Sequence, residues 1–178
     1  MTEPDCPDRP GLVEHRMDRT YEVAAAPDQV WQAIATANGI ASWMAPTHLD
    51  PQIGGAVSFD LGDFVSTGVV TGYTPNQRFA YEEPWPIAED VAALPAAMVA
   101  WFAALGVPLS EVYDGLSSLS PVATEFLIES ASGGSSVVRV VTSAYGSGAE
   151  WEHEFFSEMV AGWGEMLDKL VTHLATAA

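Results

Sequence analysis

An α+β fold, an antiparallel sheet completed by one long C-terminal helix, is predicted by three features of this 178-residue chain. Short alternating segments follow one another with tight turns between them, and strands joined that closely pair antiparallel. Residues 150–175 carry apolar side chains at spacings of three and four, the repeat of a helix with one buried face. Two short helical patterns stand directly behind the first alternating segment, so the order reads strand, two helices, a meander of strands, long helix.

Residues 1–16 lack periodicity and read as a flexible leader, and 17–178 read as a single domain. The first strand is expected at 18–24, where Tyr21 and Val23 alternate with Thr20 and Glu22. Pro27 suits the first position of a helix, where a missing N–H costs nothing, and Asp28 meets the positive end of the helix dipole. Val30, Trp31 and Ile34 form that helix's buried stripe. Asn38-Gly39 is expected to end it, with Ile40, Trp43 and Met44 on a second, shorter helix.

Strands are expected at 56–61 through Val57, Phe59 and Leu61, at 66–73, and at 78–82 with Phe79 and Tyr81 on one face. The turn SASGGS joins two more, 122–129 and 136–144, as a hairpin. In the last helix Phe155, Met159, Trp163, Met166, Leu167, Leu170 and Leu174 mark the buried face. Gly162 and Gly164 within it each cost about 1 kcal/mol relative to Ala, which calls for close approach to the sheet or room beside Trp163. Residues 84–121 interrupt the meander. Pro95 and Gly106 bracket an apolar helix carrying Met98, Val99, Trp101, Phe102 and Leu105, and Ser110-Glu111 starts another through Val112, Leu116 and Leu119. A segment this apolar has to bury its surface on the sheet, over a cavity mouth, or on another subunit.

Lys and Arg number 6 against 24 acids, giving a net charge of -18. The imbalance is a shortage of bases, and it argues against nucleic acid, whose phosphates need a basic footprint, and against anionic membrane surfaces. An apolar or cationic ligand meets no such repulsion. Cys6 is the only cysteine, so neither an internal disulfide nor a thiolate zinc cluster can form. The N-terminus, MTEPDCPDRP, has acids and prolines where a signal peptide has basic residues and an apolar core. The longest apolar run, AAMVAWFAAL, has ten residues, short of the roughly 20 a membrane span needs. A cytoplasmic location is expected.

Catalytic patterns are sparse. His153-Glu154 opens like a zinc-protease motif, but Ser157 stands where the second His belongs. His15, His48 and His173 fall in the leader, a loop and a helix end, so no metal site is expected, and no cofactor. Gly146-Ser147-Gly148 precedes a helix, but Glu150, Glu152 and Glu154 would repel a phosphate there, and a flexible turn is expected. Asp60, Glu82, Glu125 and Glu129 lie on strands. Any one facing an apolar interior gains a raised pKa and acid-base capacity, while outward placement leaves them ordinary. Trp43, Phe59, Tyr81, Phe126, Phe155, Met159 and Trp163 face one interior if alternation and helical spacing hold, and Thr142 places a hydroxyl there.

The segment APDQVWQAIATANGIASWMAP behind a strand, followed by PQIGGAVSFDLG, resembles the START-like (SRPBCC) superfamily. Within it, the bacterial group named after the activator of heat-shock protein 90 ATPase is the nearest likeness, with VATEFLIES, SSVVRVVTSAYGSGAEW and GWGEMLDKLVTHL similar to that group's last hairpin and helix. The resemblance spans 18–83 and 122–174. It implies a helix-grip fold: a curved antiparallel sheet wrapped around the C-terminal helix, two short helices closing one end, and an apolar cavity between sheet and helix. The segment 84–121 departs from the group's shorter connection as a helical insertion.

An empty cavity of roughly 300 Å³ would cost on the order of 7 kcal/mol, comparable to the whole stability of a domain, so the interior has to be collapsed by the aromatics or filled by ligand and water. The function expected is binding of an apolar or aromatic small molecule by the aromatic set and Thr142. Trp101 is expected among the ligand contacts, and the insertion 84–121 would act as a lid or as a homodimer contact. An enzyme of the cyclase, aromatase or dehydratase type acting in the same cavity is the alternative, and a cochaperone-like interaction protein is a third.

Overall fold

Seven strands form one antiparallel sheet in the order β1-β7-β6-β5-β4-β3-β2. The computed structural model describes residues 11–176. The strands are β1 (Val13–Val23), β2 (Thr47–Leu49), β3 (Ala56–Asp60), β4 (Val65–Thr74), β5 (Arg78–Glu83), β6 (Val122–Ser130) and β7 (Ser136–Gly146). Helices α1 (Pro27–Ile34) and α2 (Ala37–Ala41) follow β1, α3 (Ala96–Ala104) and α4 (Leu109–Leu116) lie between β5 and β6, and α5 (Glu150–Thr176) ends the chain. The sheet curves over α5, the helix-grip arrangement that the sequence implied.

The first strand starts at Val13 and not at 18, because β7 runs to Gly146 and offers ladder partners down to Val13. Residues 13–16 therefore belong to the sheet and not to a leader. Residues 1–10 of the expected leader, including Cys6, lie outside the described residues. Thr47–Leu49 pairs with β3 as an extra edge strand that the sequence pattern did not signal.

Helix α1 starts at Pro27, and Gln29 reaches back to accept a hydrogen bond from the Ala26 N–H at 2.8 Å. Asn38-Gly39 does not end α1 but lies inside α2. The break comes at Thr36, whose hydroxyl accepts from the Gly39 N–H at 3.0 Å and donates to the Gln32 carbonyl at 2.7 Å. The first bond is that of an N-cap, satisfying a donor that α2 leaves open, and the second satisfies a carbonyl at the end of α1. Trp43 and Met44 follow α2 in the turn leading to β2.

Two apolar cores form along α5. The larger lies between the sheet and the C-terminal part of α5, where Trp163, Leu167, Leu170 and Leu174 pack against strand residues such as Phe59, Phe79, Phe126 and Val140. The second gathers Phe102 and Val112 of the insertion around Trp85, Trp151, Phe155 and Phe156. The insertion thus buries its main apolar side chains within its own chain. Its two ends are tied by Trp85, whose indole N–H donates to the Ser120 carbonyl at 2.9 Å.

Beside this second core sits a buried polar knot. Glu152, fully buried, accepts from the Ser147 N–H at 3.2 Å, the Ser147 hydroxyl at 2.7 Å and the Gly148 N–H at 2.9 Å. His15 completes it, with Nε2 at 3.4 Å from the same carboxylate and the ring among Trp85 and Phe156. The loop 146–148 is therefore no loose turn. Its backbone donors already hold an anion, the chain's own Glu152 carboxylate.

Candidate ligand cavity

Alternation decides which side chains face α5. Phe59 on β3, Phe79 and Tyr81 on β5, and Phe126 on β6 are all buried on the inner face. They meet Trp163 from α5 and Trp43, whose indole N–H is fixed by the Ala33 carbonyl at 2.9 Å. Rings lie in direct contact: Phe59 and Tyr81 have centroids 5.2 Å apart, and Phe126 and Trp163 6.3 Å. The space left among them is only about 10 Å³. The large hollow implied by the resemblance is thus collapsed at depth, because five of the expected aromatics, Trp43, Phe59, Tyr81, Phe126 and Trp163, fill it.

Toward one end the packing opens. A cavity of about 210 Å³ lies between Phe59, Leu61, Phe64 and Ser66 on one side and Met159, Trp163 and Met166 of α5 on the other. Met44, Pro84 and Pro86 close the remaining wall. Leu61 and Phe64 are exposed at its rim, so the cavity opens to solvent through an apolar mouth. Gly162 also lines it, and a Cβ there would meet nothing within 4 Å. The glycine leaves room beside Trp163. Gly164 has a different reason, since a Cβ would come within 2.7 Å of the Arg19 guanidinium.

One charged side chain faces this cavity. Glu83, half-buried at the end of β5, accepts a hydrogen bond from the Ser66 hydroxyl at 2.6 Å. Burial raises its pKa above the ordinary carboxylate value, an effect that the Ser66 bond only partly offsets. Among the described residues no Lys, Arg or His pairs with it. Behind it, Tyr81 is hydrogen-bonded to Thr124, and burial followed by the charge of Glu83 pushes the phenol well above its usual range. Thr124 meets Thr142 at 3.3 Å, so the Thr142 hydroxyl is inside, as alternation indicates, but fully buried and away from the cavity wall.

The remaining expected residues separate. Met159 lines the cavity. Trp101 and Phe155 do not. They pack with each other in the second core at 5.7 Å between centroids, along with Phe102 and Trp85. Asp60, Glu82 and Glu129 are exposed, and Glu125 pairs with Arg78 on the outer face of the sheet. No group of three or more metal-ligating side chains occurs among the described residues. Glu83, Ser66, Phe64 and Met166 complete the site without having been singled out as ligand contacts. Two of them carried a signal: Met166 by its helical spacing from Trp163, and Glu83 by standing two positions beyond Tyr81 on the same strand face.

A wider depression of about 790 Å³ lies on the outer face of the sheet, between Asp18, Arg78, Leu127 and Arg139. Both of its arginines are already paired, Arg139 with Asp18 through two bonds of 2.8 and 2.6 Å and Arg78 with Glu125, and its one carboxylate unpaired among the described residues, Glu129, is exposed. It is an open trough on the outer face of the sheet. The smaller apolar cavity has an unmatched carboxylate, and it is the better candidate.

No single helix among the described residues is long and apolar enough to cross a membrane. None of the curated protein sequences matches the chain. Solved structures match its fold. Protein MLL2253 from Mesorhizobium loti is 14% identical, with a TM-score of 0.62 over 89% of this chain and 95% of that one. The Aha1 dimer from Colwellia psychrerythraea is 15% identical, with a TM-score of 0.60 over 90% and 96%. CalU16 from Micromonospora echinospora is 14% identical, with a TM-score of 0.55 over 92% and 86%. The family model of activator of Hsp90 ATPase homolog 1-like proteins matches residues 24–175. With the sheet gripping α5 and both small helices behind the first strand, the chain belongs to the family of activator of Hsp90 ATPase homolog 1-like proteins.

Proposed function

We propose that the chain binds a small apolar or aromatic molecule in the cavity between β3, β5 and α5. The observation that carries this reading is the cavity itself: about 210 Å³, walled by Phe59, Met159, Trp163 and Met166 and open at an apolar rim. Sites for small molecules share this build, mostly apolar walls with few polar groups. At somewhat under the common range of about 300–1,000 Å³, it suits a compact ligand. Pro84 and Pro86 begin the insertion and stand in the wall, so the insertion would serve as a lid hinged there. The neighbour from Colwellia is a dimer, and Val99 and Leu105 of α3 remain exposed here, which makes self-association through the insertion part of the same reading.

The test is Trp fluorescence and native mass spectrometry with a panel of compact hydrophobic compounds, run on the wild type and on Gly162→Leu. The leucine side chain would occupy the space beside Trp163. Gly162→Ala, with a Cβ in open space, should raise stability by about 1 kcal/mol and serve as the folded control. Binding lost in Gly162→Leu and kept in Gly162→Ala supports the site. Equal binding by all three places the ligand elsewhere.

A second reading, chemistry of the cyclase or dehydratase type, has one observation in its favour. The wall is not solely apolar: a carboxylate with a raised pKa, Glu83, stands beside the Ser66 hydroxyl. Such a group can exchange a proton with a bound substrate. Product formation from a bound compound, abolished by Glu83→Gln while binding persists, would separate catalysis from simple binding.

A further inference from the structure

We propose that the cavity takes a small cationic amphiphile, an aryl- or alkylammonium. Its ammonium group would seat on the Glu83 carboxylate, and its apolar part would enter between Phe59, Met159 and Trp163. The proposal rests on the ligand-binding reading above and adds the ligand's charge.

Three observations carry it. First, Glu83 is half-buried with a single hydrogen bond, from Ser66 to one carboxylate oxygen, and no cation of the chain pairs with it among the described residues. No fully buried polar side-chain atom among the described residues lacks a partner, so the second oxygen, which accepts no bond, is not sealed from solvent. A carboxylate placed in an apolar wall is costly unless paired, and the chain itself supplies no pair. Second, the rest of the wall suits a cation. Phe59, Phe64 and Trp163 line the same cavity with aromatic rings, and no Lys, Arg or His lines it to repel a cation. Third, the net charge of -18 gives the surface a field that draws cations toward any mouth and repels anions. A ligand with no hydrogen-bond donor would strip water from Glu83 and return nothing. An ammonium returns a charge-assisted hydrogen bond. The raised pKa of Glu83 agrees with this placement, since it reflects desolvation that an incoming cation would offset.

The test uses three probes of one shape and different charge: 2-phenylethylammonium, 2-phenylethanol and 3-phenylpropionate, titrated calorimetrically at neutral pH into the full chain. The ammonium is expected to bind about tenfold or more tighter than the alcohol, and the carboxylate least, since the alcohol can donate a hydrogen bond to Glu83 but only the ammonium adds the attraction of opposite charges. Glu83→Gln should remove the ammonium's advantage and change the alcohol far less. Glu82→Gln removes the same unit of charge one residue away, on the exposed face of β5, and should change none of the three. Equal binding of ammonium and alcohol by the wild type overturns the proposal, and that comparison needs no variant to fold. So does an equal loss of ammonium affinity in Glu82→Gln and Glu83→Gln, which would make the attraction a property of the whole surface. If neutral compounds bind and are blocked by Gly162→Leu while the ammonium gains nothing, the cavity reading stands and the charge assignment falls. If no compound of any charge binds, both fall.

Discussion

Replacing Glu152 by Ala should be among the most damaging single changes in this chain. The carboxylate is fully buried and satisfies two backbone donors, one hydroxyl and the ring of His15. It also links the loop after β7 and the start of α5 to His15 of β1. Hydrogen bonds to a charged group contribute about 1.5–3 kcal/mol each when measured singly. They are not additive, because Ser147 and Gly148 lie near solvent and water can replace part of the loss. Leaving a buried donor without its acceptor costs about 1–3 kcal/mol, and with His15 and the Ser147 and Gly148 donors all affected the expected loss for Glu152→Ala is about 3–5 kcal/mol. At about 2–4 °C per kcal/mol for a domain of this size, the midpoint of thermal unfolding should fall by roughly 6–20 °C. Urea unfolding followed by Trp fluorescence measures the free energy, and calorimetry the midpoint.

The pH dependence gives a second reading of the same group. Burial pushes the Glu152 carboxyl up, but the hydrogen bonds from Ser147, Gly148 and His15 outweigh it, and the net pKa lies below the ordinary carboxylate value. A folded-state pKa below the unfolded one means that the contribution is fully present above the ordinary range and is lost as pH falls through the folded value. The gap between wild type and Glu152→Ala should therefore be widest near neutrality and narrow in acid. A variant within about 0.5 kcal/mol of wild type at pH 7, the scatter of ordinary surface changes, would refute the assignment.

Two other outcomes are expected. Phe102→Ala should cost about 3–5 kcal/mol in urea, because the ring is fully buried against Trp101, Trp151 and Phe155 and its loss leaves a cavity in the second core. Hydrogen exchange should show the loss concentrated in α3 and α4, whereas uniform loss of protection would mean that the two cores unfold as one. Asp18, held by Arg139 at a pKa of about 2 against a usual 3.8, contributes stability that is present above about pH 4 and lost as pH falls toward 2. The pair is partly exposed, so Asp18→Asn should cost about 1 kcal/mol or less at pH 7, with the two stability curves converging below pH 3.

The parts of this fold that were legible in sequence are those where one rule acts alone. Pro27 opens α1, SASGGS turns the last hairpin, and the three-four spacing of Trp163, Leu167, Leu170 and Leu174 gives α5. The start of β1 was hidden because its inward position 15 is a histidine, and alternation reads a polar residue there as solvent-facing. Only the distant Glu152 explains its burial. Alternation ends the strand at 82, one residue short of its observed end, and so points to Glu82 where the inward parity of Phe79 and Tyr81 leads to Glu83. Trp101 and Phe155 were grouped with the cavity for another reason. Helical periodicity tells which face a residue occupies but not its height along the axis. Phe155 and Trp163 share a face of α5, yet eight residues at about 1.5 Å each separate them by roughly 12 Å. That is enough to place them in different cores.

Pairing β1 with β7 has a consequence for how the chain is made. The first strand leaves the ribosome with no neighbour to bind, since its whole ladder partner, Ser136–Gly146, emerges after all the other strands. At common elongation rates the wait is on the order of ten seconds. During that interval β6 and β7 must also appear before the sheet can close, and contacts this distant in sequence form slowly. The growing polypeptide therefore carries a sticky, solvent-facing ribbon through most of its synthesis. Its outward Glu14, Asp18 and Glu22 are well suited to keep that ribbon from adhering to its neighbours on a polysome.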